Sequence, residues 1–171
     1  MNKPAKYERH DITEDTPDIY ENNKYIRIAA RRIRKTDSIS DKEMLLAVLL
    51  KRMEQEGEAP MPMVDVNGVF DNILPENIRI GEPISLGGEL RLRMATLTDD
   101  NDGTRWFPLF TSQEECQKHP VSNVIINASI EVILDNGLKS DRVSGVVIDP
   151  FGVSLKLPKE ILALLFEVYG K

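Results

Sequence analysis

Apolar residues recur at helical spacing near the start of the chain and at strand spacing further on, so the pattern predicts two helices followed by mixed strands and helices. The two helices are predicted over about residues 18–35 and 41–56. Strands are predicted at 60–66, 89–98, 104–110, 124–126, 146–148 and 153–157, with further helices beginning near 112, 130 and 158. We therefore predict an α+β (mixed α/β) fold: one mixed sheet of about five or six strands with helices packed on it, preceded by an N-terminal helical hairpin.

The stretch Val146–Leu157 is expected to organise the core. Its continuous apolar run, Val146-Val147-Ile148, is typical of a strand buried on both faces, and Pro150 ends that strand because it lacks a backbone donor. Gly152 predicts a tight turn with positive φ. Asp149, at the strand end, is either a general acid, base or ligand, or a side chain that caps the turn through backbone amides. We favour the cap.

Helix ends carry further signals. Ser40 and Glu43 form a capping box that predicts the start of the second helix, and Ser129 predicts the start of a later one. After Pro158 the apolar residues cover most of the helix circumference, so we expect the last helix to be well buried.

The first predicted helix is basic on one side. Arg27, Arg31 and Arg34 lie with neighbouring lysines opposite the apolar face, and residues 24–35 contain no acidic side chain. Such a helix either packs on its own domain and leaves a solvated basic face, which we favour, or binds an acidic partner, RNA or a membrane surface. We accordingly divide the chain into a tail with this basic helix, residues 1–40, and an α+β domain, residues 41–171.

Charge is distributed unevenly along the chain. Residues 1–40 hold 9 Lys and Arg against 7 Asp and Glu, whereas residues 41–171 hold 13 against 21. The acidic main part argues against nucleic-acid binding, which depends on neutralising phosphates. The opposite signs favour docking of the basic part on the acidic part, either within the chain or on a second copy.

Three further sequence features bear on location. The N-terminus has no apolar stretch after its basic residues, and no apolar run has the length that spans a bilayer, so we expect neither a secretory signal nor a membrane span. The single cysteine, Cys116, cannot form an intramolecular disulfide. We expect a cytoplasmic protein.

Little catalytic chemistry is visible in the sequence. Cys116 and His119 are three residues apart, but the further ligands of a zinc site are missing, and we favour a small apolar cysteine beside a surface histidine. Gly87-Gly88 precedes a strand and lacks the pattern of a phosphate-binding loop. Residues 99–103, Asp-Asp-Asn-Asp-Gly, have the wrong register for a calcium loop and predict a polar hairpin turn. We expect no catalytic residue, no metal and no cofactor.

Residues on two predicted strands form a candidate binding patch. Arg91 and Arg93 share the outer face of one strand, and Arg105 lies near the start of the next. Trp106 and Phe107 point to opposite faces of that second strand, so one of them is expected in the core. If Trp106 is the exposed one, it lies beside the three arginines as a contact residue.

Two motifs resemble a known family. Thr104–Glu115, with Arg-Trp-Phe-Pro-Leu-Phe-Thr-Ser, and Gly145–Leu155, with Asp-Pro-Phe-Gly, resemble two segments of SseB-like domains in content and order. The resemblance covers roughly residues 43–168, and Asp149 stands where Asn is common. It implies an SseB N-terminal-type domain in stand-alone form, and a binding or regulatory module to which no reaction is securely attached.

Together these observations lead to a functional hypothesis. We expect a non-enzymatic cytoplasmic module that acts through protein–protein contacts, with a protein partner or self-association through the N-terminal helices. The alternative is a small-ligand sensor or enzyme with a pocket at the strand end near Asp149. RNA binding by the basic helix ranks third. The candidate interaction residues are Arg27, Arg31, Arg34, Arg91, Arg93, Arg105, Trp106 and Asp149.

Overall fold

A computed structural model describes residues 18–69, 88–120 and 124–170, and within them five α-helices and seven strands form an α+β fold, as predicted. The elements are α1 (Lys24–Thr36), α2 (Ile39–Glu54), β1 (Glu58–Asp65), β2 (Leu92–Met94), β3 (Leu97–Thr98), β4 (Arg105–Leu109), α3 (Gln113–Gln117), β5 (Val124–Ser129), α4 (Ile130–Lys139), β6 (Gly145–Ile148), β7 (Leu155–Pro158) and α5 (Lys159–Tyr169). None of these helices combines the length and the apolar content that a membrane span requires. The sequence also predicts a loose polar tail over residues 1–17 and a loop over residues 70–82, and both lie outside the described residues.

The strands form two sheets, so the prediction of one sheet with five or six strands was wrong. One sheet is antiparallel with the order β2-β1-β5, and the other has the order β3-β4-β6-β7 with β4 and β6 parallel. The predicted strand 89–98 is in fact broken between β2 and β3. Ala95, at the break, is buried and its N–H donates to the Pro62 carbonyl at 3.0 Å, so the chain changes sheets there.

Strand β1 lies in the middle of its sheet although it contains Pro60 and Pro62, and proline within sheets usually occurs in edge strands or at strand starts. In an antiparallel strand the N–H and C=O of one residue point to the same side. The Pro62 carbonyl faces Ala95, so the missing donors of both prolines also face the β2 side. Because β2 pairs only with residues 63–65 of β1, Pro60 removes no bond, and Pro62 removes only the return bond to Ala95 at the end of the β1–β2 pairing, while the ladder with β5 stays intact.

Helix α1 packs its apolar side into the same core as the sheets. Ile26, Ala29, Ala30 and Ile33 are buried and belong to one cluster with side chains of α2, β4, β6 and α5. The basic side of α1 therefore faces outwards, because the buried residues occupy the opposite side of the helix. Helix α2 packs beside α1 and also contacts α4 and α5, so the two N-terminal helices form a hairpin on the body.

The polar turn between β3 and β4 is a hairpin turn, as predicted. Asp99 donates its N–H to the Thr104 carbonyl, and Gly103 donates to the Asp99 carbonyl, both at 2.8 Å. Gly103 has φ 72°, which glycine adopts without steric cost.

Helix α5 is less buried than its composition predicts. Leu162, Leu165 and Phe166 are buried, but Leu164 and Val168 on the other side are 44% and 64% exposed. The expectation of a well-buried last helix was therefore wrong for one face. The reason is that α4, α2 and the β6–β7 strands cover the helix from one side, and nothing in the described part of the chain covers the other.

Candidate functional site

Arg27, which is partly buried, and the buried residues Thr111 and Asp149 form a polar cluster where α1 meets the second sheet. Strands β4 and β6 are parallel, so their carboxyl ends share one edge, and Thr111 and Asp149 follow these ends. The Thr111 N–H and hydroxyl donate to the two carboxylate oxygens of Asp149 at 2.8 and 2.6 Å. Arg27 Nε donates to the Thr111 hydroxyl at 2.9 Å and lies 3.6 Å from Asp149 Oδ2. We call these three residues the α1 clasp.

Asp149 is fully buried, and burial raises the pKa of its carboxyl above the usual range, while hydrogen bonds from Thr111 act in the opposite direction. The predicted cap of the turn is made by the main chain of Asp149 and not by its side chain: the N–H groups of Gly152 and Ser154 both donate to the Asp149 carbonyl at 2.9 Å. The carboxylate is thus free to join β4 to β6 and to hold α1 through Arg27.

A second carboxylate and a histidine lie near this turn, although sequence spacing did not indicate either. Glu115 is buried, its Oε1 accepts from Lys118 at 2.7 Å, and its negative charge raises the pKa of Asp149 further. The His119 ring packs edge-on against Phe110 and Phe151, with each centroid separation 6.3 Å. The expected surface position of His119 was wrong, because these aromatic rings bury it, and burial lowers its pKa.

Cys116 is not placed for nucleophilic chemistry. The thiol is buried, and burial raises its pKa to about 11, so the reactive thiolate is scarce at neutral pH. Within residues 18–69, 88–120 and 124–170, no three His, Cys, Asp or Glu side chains are grouped so that they could hold a metal ion.

The structure does not bring the predicted strand arginines to the clasp. Arg105 begins β4, at the end of the strand opposite to Thr111. Arg91 pairs with Glu89 at 2.9 Å, and Arg93 is exposed on β2 in the other sheet. Of the candidate residues, only Arg27 and Asp149 have a described contact with each other.

Trp106 is buried, so it does not form the exposed aromatic contact that the sequence allowed. Its indole N–H donates to the Thr104 hydroxyl at 2.8 Å. The Lys156 ammonium covers the ring at 5.0 Å from its centroid, and that lysine also pairs with Asp99. Phe107, on the opposite face of β4, is buried as well.

The outward face of α1 is the strongest concentration of exposed charge on any described helix. Lys24, Ile28, Arg31 and Lys35 are all exposed and recur at helical spacing, with Arg34 on the flank; we call the first four the α1 basic row. Arg31, Arg34 and Lys35 form no ion pair with any residue of the described segments. The clasp and the buried side of α1 hold this row in place.

The corner between α1 and α2 fixes the direction of both helices. The Asp41 carboxylate accepts hydrogen bonds from the hydroxyls of Thr36 and Ser38 and pairs with Arg32 Nε at 2.9 Å. Ser38 also accepts the Asp41 N–H at 3.1 Å, so Ser38, and not the predicted Ser40, caps α2.

Replacing Asp41 with asparagine should lower thermal stability at neutral pH and have little effect in strong acid. Hydrogen bonds from Thr36 and Ser38 hold the pKa of Asp41 below its usual value of 3.8, and Arg32 acts in the same direction. The ionised carboxylate therefore stabilises the fold above pH 3.8, and this contribution is lost as the pH falls through the lower pKa of the folded state. Thermal unfolding of both proteins from neutral pH to strong acid measures the difference in stability between wild type and Asp41→Asn. A difference that persists in strong acid contradicts the role assigned to the ionised Asp41 carboxylate.

No protein-family model, curated protein or solved structure matches this chain. The fold and site define an α+β protein with a clasped basic helix, and the resemblance to SseB-like domains stays a prediction.

Proposed function

We propose that this protein is a non-enzymatic, cytoplasmic SseB-like module that acts through protein–protein contacts, and that the outward face of α1 is its contact surface. The observation that carries the proposal is the α1 basic row. Ile28, 49% exposed, lies between Lys24 and Arg31. Three exposed cations of the helix, Arg31, Arg34 and Lys35, have no carboxylate partner in the described segments.

The chemistry of this row indicates an acidic protein surface with a central apolar contact. Complete burial of a fully exposed isoleucine contributes about 1.5–3 kcal/mol, and Ile28, which is already half-buried, gains roughly half of that. The surrounding cations direct encounter and orientation more than they add affinity. A local acidic patch on a protein fits better than nucleic acid, because the continuous phosphate charge of a nucleic acid would also face residues 41–171, which carry 21 Asp and Glu against 13 Lys and Arg.

The alternative, a small-ligand sensor or enzyme with a pocket near Asp149, has less support. The Asp149 carboxylate is fully buried, and Thr111 binds both of its oxygens. A ligand would have to displace Thr111 and weaken the clasp. Asp149 and Arg27 serve the proposed function by holding α1 in position.

A photo-reactive amino acid placed at Ile28 in the full chain should cross-link to a protein in the native cytoplasm. Adding Arg31→Glu to the same chain should reduce the yield about tenfold, which corresponds to about 1.4 kcal/mol. The matched controls are the same probe at Val132, which is 48% exposed on α4, and Arg93→Glu, which reverses an exposed charge elsewhere. Equal cross-linking from both probe positions, or insensitivity to Arg31→Glu, contradicts the proposal. Cross-linking to RNA would favour the nucleic-acid hypothesis.

A further inference from the structure

Helix α5 carries an exposed face whose charge is opposite to that of the α1 basic row. Glu160, Leu164, Glu167 and Val168 are exposed on one side of the helix, opposite its buried residues; we call them the α5 acidic row. Glu160 and Glu167 form no ion pair with any residue that the structure describes. Leu164 and Val168 are 44% and 64% exposed, so the row combines unpaired carboxylates with unburied apolar surface.

The first three members of the two rows match position by position, whereas Lys35 and Val168 have no counterpart at the same spacing. Lys24, Ile28 and Arg31 occupy i, i+4 and i+7 on α1, and Glu160, Leu164 and Glu167 occupy i, i+4 and i+7 on α5. At 1.5 Å per residue, the apolar member lies about 6 Å and the last charge about 10.5 Å from the first charge in both rows. Two such helices side by side in parallel place Lys24 and Arg31 opposite the two glutamates and Ile28 opposite Leu164.

We propose that the partner of the α1 basic row is the α5 acidic row of a second copy of this chain. The inference rests on the proposed function, since it needs the outward face of α1 to be a protein contact. The two rows are different patches of the same molecule, so the contact is head-to-tail, and each added copy leaves one row of each kind unoccupied. Association therefore continues beyond a dimer unless the rotation between copies closes a ring.

The contact is weak and depends on salt. Two or three turns of one helix packed against another bury less than about 1,200 Å² of total surface, which is typical of transient complexes. Lys24 has a competing partner in Glu21 at 3.4 Å, but both side chains are about half or more exposed, and such surface pairs exchange readily. Added salt screens the pairs between the rows.

Sedimentation velocity of the full chain over a range of concentrations tests the proposal. The mean mass should rise with concentration at low salt and fall when salt is added. Arg31→Glu and Glu167→Arg should each weaken self-association about tenfold, about 1.4 kcal/mol. An equimolar mixture of these two single variants should restore it, as should the double variant, because reversed rows then face each other. Arg93→Glu and Asp100→Arg reverse exposed charges away from both rows and should change nothing.

The outcomes separate this inference from the proposed function. A wild-type chain that stays monomeric at every concentration, or an association that Arg31→Glu leaves unchanged, overturns the inference. If the probe at Ile28 then captures another protein in an Arg31-dependent manner, the proposed function stands without self-association. If the chain stays monomeric and the probe at Ile28 also captures no protein in an Arg31-dependent manner, both proposals are contradicted. Restoration by the mixture also excludes misfolding, because a misfolded variant would not associate with its counterpart.

Discussion

Asp149→Ala should lower the free energy of unfolding by about 3–5 kcal/mol, because it leaves buried polar groups without partners and places alanine in left-handed backbone. The substitution leaves the buried N–H and hydroxyl of Thr111 without their acceptors and removes the carboxylate facing Arg27. Asp149 also has φ 40°, in the left-handed region, where alanine costs about 1–2 kcal/mol more than it does elsewhere. Urea unfolding of both proteins measures the difference.

Asp149→Asn is the matched control. Asparagine tolerates left-handed backbone and keeps an oxygen that can accept the Thr111 N–H, so the expected loss is about 1 kcal/mol or less. Thr111→Val removes the hydroxyl that links Arg27 to Asp149. Combining it with Asp149→Asn gives a double-mutant cycle that isolates their coupling. An alanine variant within 1 kcal/mol of wild type would contradict the role assigned to the clasp.

The difference in stability between wild type and Asp149→Asn should change with pH in a defined direction. Because burial raises the pKa of Asp149 above its usual value of 3.8, the folded chain binds this proton more tightly than the unfolded chain. Ionisation of Asp149 therefore opposes folding at neutral pH, and the opposition disappears as the pH falls through the raised pKa towards 3.8. The stability of wild type relative to Asp149→Asn should rise over that interval, opposite to the behaviour expected for Asp41.

Local patterns predicted the helices well and their ends less well. The apolar spacing and the Ser129 cap correctly indicated α4, where Ser129 accepts the Val132 N–H at 3.4 Å. The start of α2 was misplaced because the sequence offers two serines, Ser38 and Ser40. The choice between them is made by contacts from α1 to Asp41, which periodicity cannot indicate.

The clasp was not predictable in full because its members are far apart in sequence. Thr111 is 38 residues from Asp149 and 84 from Arg27. The sequence did place a polar residue after each of two apolar strands, Thr111 and Asp149. Their meeting depends on those strands being parallel neighbours, and the pattern leaves strand pairing open.

The turn after β6 was predicted correctly in place but not in mechanism. Gly152 does not have the expected positive φ; Asp149 and Ser154 have it, at 40° and 50°. Glycine suits position 152 because of close packing and not because of its φ angle: a Cβ there would lie 2.9 Å from the buried Oε2 of Glu115. The residues that resemble the SseB-like motif thus combine turn geometry with close packing against α3.

Gly145→Ala should also destabilise the fold by about 3–5 kcal/mol, the sum expected for overpacking and backbone strain together. Gly145 begins β6 opposite Pro158 of β7 and has φ 152°. A Cβ at this position would lie 2.1 Å from the Leu157 carbonyl oxygen, which is backbone and cannot rotate away. Relief requires moving β6 from β7, and β6 ends just before Asp149, so the clasp is disturbed as well. Urea unfolding and folded yield measure the effect.

Gly103→Ala provides the matched control for Gly145→Ala. Gly103 also has a positive φ, 72°, but a Cβ there meets no heavy atom within 4 Å. The Gly103→Ala variant should therefore lose only the free energy that alanine costs in left-handed backbone, about 1–2 kcal/mol. The difference between the two variants isolates the close approach of β6 to the Leu157 carbonyl. Equal losses of stability would mean that β7 moves to accommodate the added methyl group. The close contact between β6 and β7 would then not be what fixes the position of β6, and with it that of Asp149 beside Thr111.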